Sequence, residues 1–142
     1  MRFVKILIFV LILSFNFGFF SGVKKREVAT PIINISAEYK KMSHANIRKA
    51  IITACKECKW TIDSQSGKKI DASITVRNKH FVAVSIPYSS SSVKIVYKRS
   101  SNMLYDDSGE KPKIHYQYNK WVKRLEQSIR MNLDKISTRK SK

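Results

Sequence analysis

The chain has 142 residues and carries 28 Lys or Arg against 10 Asp or Glu, a formal net charge of +18. With four Gly and ten acids, phosphate-cradling glycine loops and paired buried carboxylates have little to draw on, and no Ser-His-Asp or Cys-His order can be picked out. A charge of this size speaks to association with anions (membrane, envelope polymer or nucleic acid) rather than to fold, although a Lys-, Ile- and Asn-rich proteome would bias unrelated chains the same way.

The amino terminus pairs a short basic region, Arg2 and Lys5, with the apolar run Ile6 to Phe20. Positive end followed by an apolar core is the order of a secretory signal. The cleavage site is poor, because Phe19 and Phe20 sit two positions before Ser21 and Gly22, and Lys24, Lys25 and Arg26 follow at once. The competing reading is a retained anchor, since the 18 residues between Lys5 and Lys24 are just enough to span a bilayer. Residues 1–22 are therefore expected to be a signal peptide or membrane anchor, placing the rest in the periplasm or tethered to the inner membrane. No cysteine lies near Ser21 or Gly22 for lipid attachment.

Residues 23–42, with Pro31 and the apolar patch Ile32, Ile33 and Ile35, read as an extended linker that can touch the domain edge. Ser43 is a good N-cap for a helix to about Lys56, with Ile47, Ala50, Ile51 and Ala54 on one face. Trp60 and Ile62 open a short strand ending at the Ser66-Gly67 turn. Ile70 to Val76, His80 to Ile86 and Val93 to Arg99 then alternate apolar and polar residues, with turns at Asn78-Lys79 and Ser89 to Ser92. After a polar loop from Asp106 to Pro112, apolar residues at Ile114, Tyr118, Trp121, Val122, Leu125, Ile129, Leu133 and Ile136 predict a long amphipathic helix. The expectation is an α+β domain over residues 43–137: a four-stranded antiparallel meander with two helices on one face, order α-β-β-β-β-α, then a basic tail over 138–142.

Several segments together resemble a known family. They are a helix ending in Trp60, R-x-x-H at Arg77 to His80, V-x-I-P-Y at Val84 to Tyr88, and I-V-Y-K-x-S-x-N-x-L-Y at Ile95 to Tyr105 with one residue extra. The last and most specific is I-H-x-x-Y-N-x-W-V-x-x-L at Ile114 to Leu125. The set is similar to a family of small exported bacterial proteins, often assigned as lipoproteins, whose function is unknown. The likeness spans Ser43 to Leu133 and implies export and the fold class; it implies no activity. Members usually carry a lipid-attachment cysteine after the signal, which this chain lacks.

Cys55 and Cys58 form C-x-x-C, but at a helix C-terminus, where the dipole disfavours a thiolate. They read as packing residues or as a local disulfide. Zinc would need a second ligand pair, and His44, His80 and His115 are not spaced as one. His115, Tyr116, Tyr118 and Asn119 beside Trp121 are the densest polar-aromatic cluster, a candidate binding site together with Ser100, Ser101 and Asn102; the same groups could instead lock the loop to the helix. The open sheet face is expected to show Thr75, Arg77, Phe81, Ala83, Lys94, Val96 and Lys98. Of these, Arg77, Phe81, Lys94 and Lys98 are candidate contacts for an anionic partner. Neither cofactor nor catalytic residue nor small-molecule substrate is indicated. The functional expectation is a non-enzymatic exported envelope protein that binds an anionic surface or a protein partner. The alternative is a nucleic-acid-binding module using the basic sheet face.

Overall fold

In a computed structural model the chain is described over residues 26–28, 32–36 and 42–139. The expected signal or anchor and residues 140–142 of the expected tail lie outside this range. Among the described residues no helix is long and apolar enough to cross a membrane.

The first two strands are β1 (Arg26–Val28) and β2 (Ile32–Ser36), followed by helix α1 (His44–Glu57). Ser43 caps α1 as its sequence predicts, accepting a hydrogen bond from the Asn46 N–H at 3.3 Å. The helix ends in a Schellman motif: Lys59 takes a left-handed φ of 64°, its N–H reaches the Lys56 carbonyl, and the Trp60 N–H reaches that of Cys55. This reversal drops Trp60 into the core at 4% exposure and starts β3 (Thr61–Ser66). Strands β4 (Lys69–Val76), β5 (His80–Pro87) and β6 (Ser92–Ser101) follow as an antiparallel meander. The order α-β-β-β-β-α is thus formed, closed by the long helix α2 (Gln117–Arg139).

Two strands came out of the stretch that the sequence presents as a linker. β2 pairs with β6 and makes the sheet five-stranded, in the order β2-β6-β5-β4-β3. β1 pairs with a short strand β7 (Lys113–His115) in a separate ribbon, Glu27 opposite Ile114. That pairing corrects the expected start of the long helix: Ile114 and His115 are extended, because their backbone bonds go to β1 and to the Met103 carbonyl, and the helix begins at Gln117. At its other end α2 runs to Arg139, so Thr138 and Arg139 are helical.

Both helices cover one face of the sheet. α2 inserts Tyr118, Val122, Leu125, Ile129 and Leu133 at steps of three and four, all at 2% exposure or less. They meet Ile47, Ala50, Ile51 and Ala54 of α1 and Ile70, Ala72, Val82, Val84, Ile86, Val93 and Ile95 of the sheet. Each large side chain buried this way contributes about 1.5–3 kcal/mol, an upper figure because unfolded chains already bury some of it. Between the helices, Glu57 accepts from Ser128 Oγ at 2.6 Å and Asn132 Nδ2 at 2.9 Å, tying the end of α1 to the middle of α2.

Candidate functional site

The β4–β5 hairpin closes at the Val76–His80 pair, which leaves Arg77, Asn78 and Lys79 as its loop. Arg77 and Asn78 both have φ in the left-handed region, 55° and 50°. The loop is clamped to the end of β6 by Asn102, whose Nδ2 donates to the Lys79 carbonyl at 2.9 Å and whose carbonyl receives His80 Nδ1 at 2.8 Å. Asn102 is itself at φ 55°, and Leu104 at 52°. Four non-glycine residues in a conformation that L side chains resist therefore gather at one end of the sheet.

β7 brings His115 to the same place. Its ring centroid lies 5.7 Å from that of His80 and 4.7 Å from the stacked ring of Tyr116. The first turns of α2 add Gln117 and, four residues on and so on the same side, Trp121. Together with Val76 and Arg77 these side chains line a cleft of about 380 Å³.

Partners fix the histidine tautomers. A backbone N–H can only donate, so His115 Nδ1, which accepts from the Gln117 N–H at 3.2 Å, is unprotonated and Nε2 carries the hydrogen. A carbonyl can only accept, so His80 Nδ1 carries a hydrogen and donates it to Asn102. Gln117 Nε2 donates to the Tyr116 hydroxyl at 3.1 Å, which leaves that hydroxyl its own hydrogen to donate. Lys120 Nζ lies over the Tyr116 ring, 4.9 Å from its centroid. The lining contains a guanidinium, two imidazoles and a phenol, and no carboxylate. Arg77 has no ion pair with a described residue.

Of the residues singled out from sequence, the structure brings His115, Tyr116 and Asn102 together, Asn102 through its backbone clamp on His80. Tyr118 is a core residue at 0% exposure, edge-on to Tyr97, with burial pushing its phenol pKa upward. Asn119 donates to the Val28 carbonyl at 2.9 Å and so anchors β1. Ser100 bonds the Tyr97 hydroxyl at 3.0 Å. Arg77 belongs to the cleft rather than to the sheet face, because the hairpin closes one residue before it. His80, Gln117 and Trp121 are the added members. The R-x-x-H spacing of Arg77 and His80 was the available signal, since three residues is what a hairpin loop needs to return a side chain beside its start.

The outer sheet face is less open than alternation predicts. Asp71, Ser73 and Ala83 at its centre are 9% exposed or less. Asp71 accepts from Lys98 Nζ at 2.7 Å, from Ser64 Oγ at 3.3 Å and from Ser85 Oγ, and the neighbouring Asp63 accepts from Ser73 at 2.9 Å. The Lys98 hydrogen bond first, and that of Ser85 next, hold the Asp71 carboxyl below its usual range. Lys98 is the extra residue of a β-bulge, Ala83 pairing with Arg99 and Val84 with Tyr97. Arg99 stacks its guanidinium 4.7 Å from the Phe81 centroid, so the one aromatic of this face already carries a cation. Lys94 remains exposed on β6.

Cys55 and Cys58 are both free thiols. Cys55 is fully buried three residues before the helix cap, and burial, then the adjacent Cys58, pushes its thiol up to about 12. Cys58 is half-buried, its Sγ 3.7 Å from the Arg124 carbonyl, and burial raises it too. Among the described residues no three His, Cys, Asp or Glu side chains are grouped to hold a metal. No family model, curated protein or solved structure matches the chain.

Proposed function

We propose that this chain is a non-enzymatic exported protein whose folded domain binds an anionic partner at the cell envelope. The observation that carries the reading is the cleft at the end of the sheet: donor-rich, without a carboxylate, and set in a surface where cations outnumber acids. Ion pairs among the described residues occupy Arg26, Lys98, Lys123 and Arg130. Arg77, Lys79 and Lys120, all near the cleft in sequence, have none among the described residues, and their field attracts anions. The signal-like run Ile6 to Phe20 supports the envelope as the place of action. A binding role rather than catalysis is supported by the Cys55 thiol, which burial keeps protonated and so unavailable as a nucleophile.

Co-sedimentation of the full chain with vesicles tests the reading. Retention on phosphatidylglycerol vesicles that falls steeply as salt rises, with none on neutral phosphatidylcholine, is expected. Equal retention on both, together with a native protein that fractionates in the cytosol without membrane association, contradicts it.

A further inference from the structure

We infer that the cleft between the β4–β5 loop and the start of α2 is a specific site for a sugar bearing a phosphate or carboxylate group, the unit through which the chain recognises its anionic partner. The inference rests on the binding role proposed above and adds the chemistry of the ligand.

The shape sets the size. A cavity of about 380 Å³ is at the small end of ligand pockets, suited to one ring with one substituent. The walls set the chemistry. Arg77 contributes a planar guanidinium to a lining without a carboxylate, the group best matched to the paired oxygens of a carboxylate or phosphate. The Tyr116 hydroxyl has a hydrogen to donate, and the first turn of α2 contains no acid. Trp121 adds a partly exposed ring to the lining, with Gln117 and His80 as polar neighbours, whereas the Tyr116 ring is stacked on His115 and lies under Lys120 Nζ, so it offers its hydroxyl rather than a face. An aromatic face flanked by groups that both donate and accept suits a sugar, whose C–H face is apolar and whose hydroxyls need partners at the rim.

Rigidity supports the assignment. The cleft wall is fixed by the reciprocal Asn102 clamp on His80 and Lys79, and the left-handed backbone at Arg77, Asn78, Asn102 and Leu104 is concentrated around it. Strain of this kind persists where surrounding contacts over-determine it, and it clusters at binding sites.

The two tryptophans make the test direct. Trp60 is 4% exposed in the core, whereas Trp121 lines the cleft, so a ligand-dependent change in emission reports the cleft. Glucose 6-phosphate and glucuronate are expected to change the fluorescence of the full chain saturably, at least tenfold more tightly than glucose or inorganic phosphate alone. Arg77→Gln, in an exposed loop, should weaken both by at least tenfold while leaving the melting temperature near wild type; Lys94→Gln, on the sheet face, should change neither. Trp121→Phe should silence the optical signal while calorimetry still registers heat of binding. The inference is overturned if neither sugar anion binds, if Arg77→Gln binds as well as wild type, or if adenosine monophosphate binds more tightly than glucose 6-phosphate. Should the chain still sediment with anionic vesicles while no sugar anion binds, the cleft assignment falls and the surface reading stands; loss of both removes both.

Discussion

Replacing Asp71 by Asn tests how the outer face of the sheet is held. Asp71 is nearly buried, with a side chain 9% exposed, whereas its partner Lys98 is 47% exposed. The Coulombic part of the pair is therefore screened and worth little by itself, of the order of 0–1 kcal/mol. More is lost through the hydrogen bonds, since Lys98, Ser85 and Ser64 all donate to this carboxylate. Asn removes the charge and turns one acceptor into a donor that faces other donors. We expect a loss of about 2 kcal/mol near pH 7, which for a domain of this size lowers the melting temperature by roughly 8–16 °C. The loss depends on pH in a definite direction. The Asp71 carboxyl is held below its ordinary value in the folded chain, chiefly by the Lys98 hydrogen bond. Its contribution is thus complete above about pH 5, a unit above the unfolded value, and disappears as the pH falls through the lower folded value, when the wild type protonates. Thermal melts of wild type and Asp71→Asn should converge as the pH falls from about 7 into the acid range, through the lowered folded value. A gap that is absent near neutrality, or that stays constant into acid, refutes the reasoning.

The other expectations are simpler to read. Leu125→Ala empties a fully buried site under α2 and should cost about 2–5 kcal/mol in denaturant melts. Lys59→Gly relieves the left-handed residue of the Schellman motif, with φ 64°, and should raise stability by about 0.5–1 kcal/mol. A thiol reagent near neutral pH should modify Cys58 slowly and leave Cys55, whose thiol is pushed up to about 12, untouched until the chain unfolds; mass spectrometry of the adducts reads the order. Asn102→Ala removes the side-chain bond to the Lys79 carbonyl but keeps the backbone carbonyl that receives His80, and should lower stability by about 0.5–1.5 kcal/mol in denaturant melts.

The elements whose partners are local in sequence were readable from it. Ser43 caps α1, the alternation from Ile70 to Tyr97 forms the meander, and Tyr118 to Leu133 supply the apolar stripe of α2, because each pattern is the period of its own backbone. What escaped depends on distant pairing. Ile114 sits one helical step before Tyr118, so spacing alone extends the helix through it; only the ladder to Glu27 makes it a strand. The stretch around Ile32 to Ser36 has too few alternating residues to announce a strand, and it becomes one by adding to β6. Asp71 follows the polar phase of its strand and reads as solvated, but a bulge at Lys98 and hydroxyls from two neighbouring strands enclose it. The cleft follows the same rule. His115 and Tyr116 drew notice as a local cluster, while Arg77 and His80, from a hairpin some 35 residues earlier, joined them only through the fold.

The central claim is that an anion lands in the cleft rather than on the broad basic sheet. Amide and indole chemical shifts of the isotopically labelled protein, followed while glucose 6-phosphate is added, locate it residue by residue. The account predicts saturable shifts at Arg77, His80, Tyr116, Gln117 and the Trp121 indole, with Phe81, Lys94 and Lys98 unmoved. Shifts confined to Phe81, Lys94 and Lys98, with the cleft silent, contradict it.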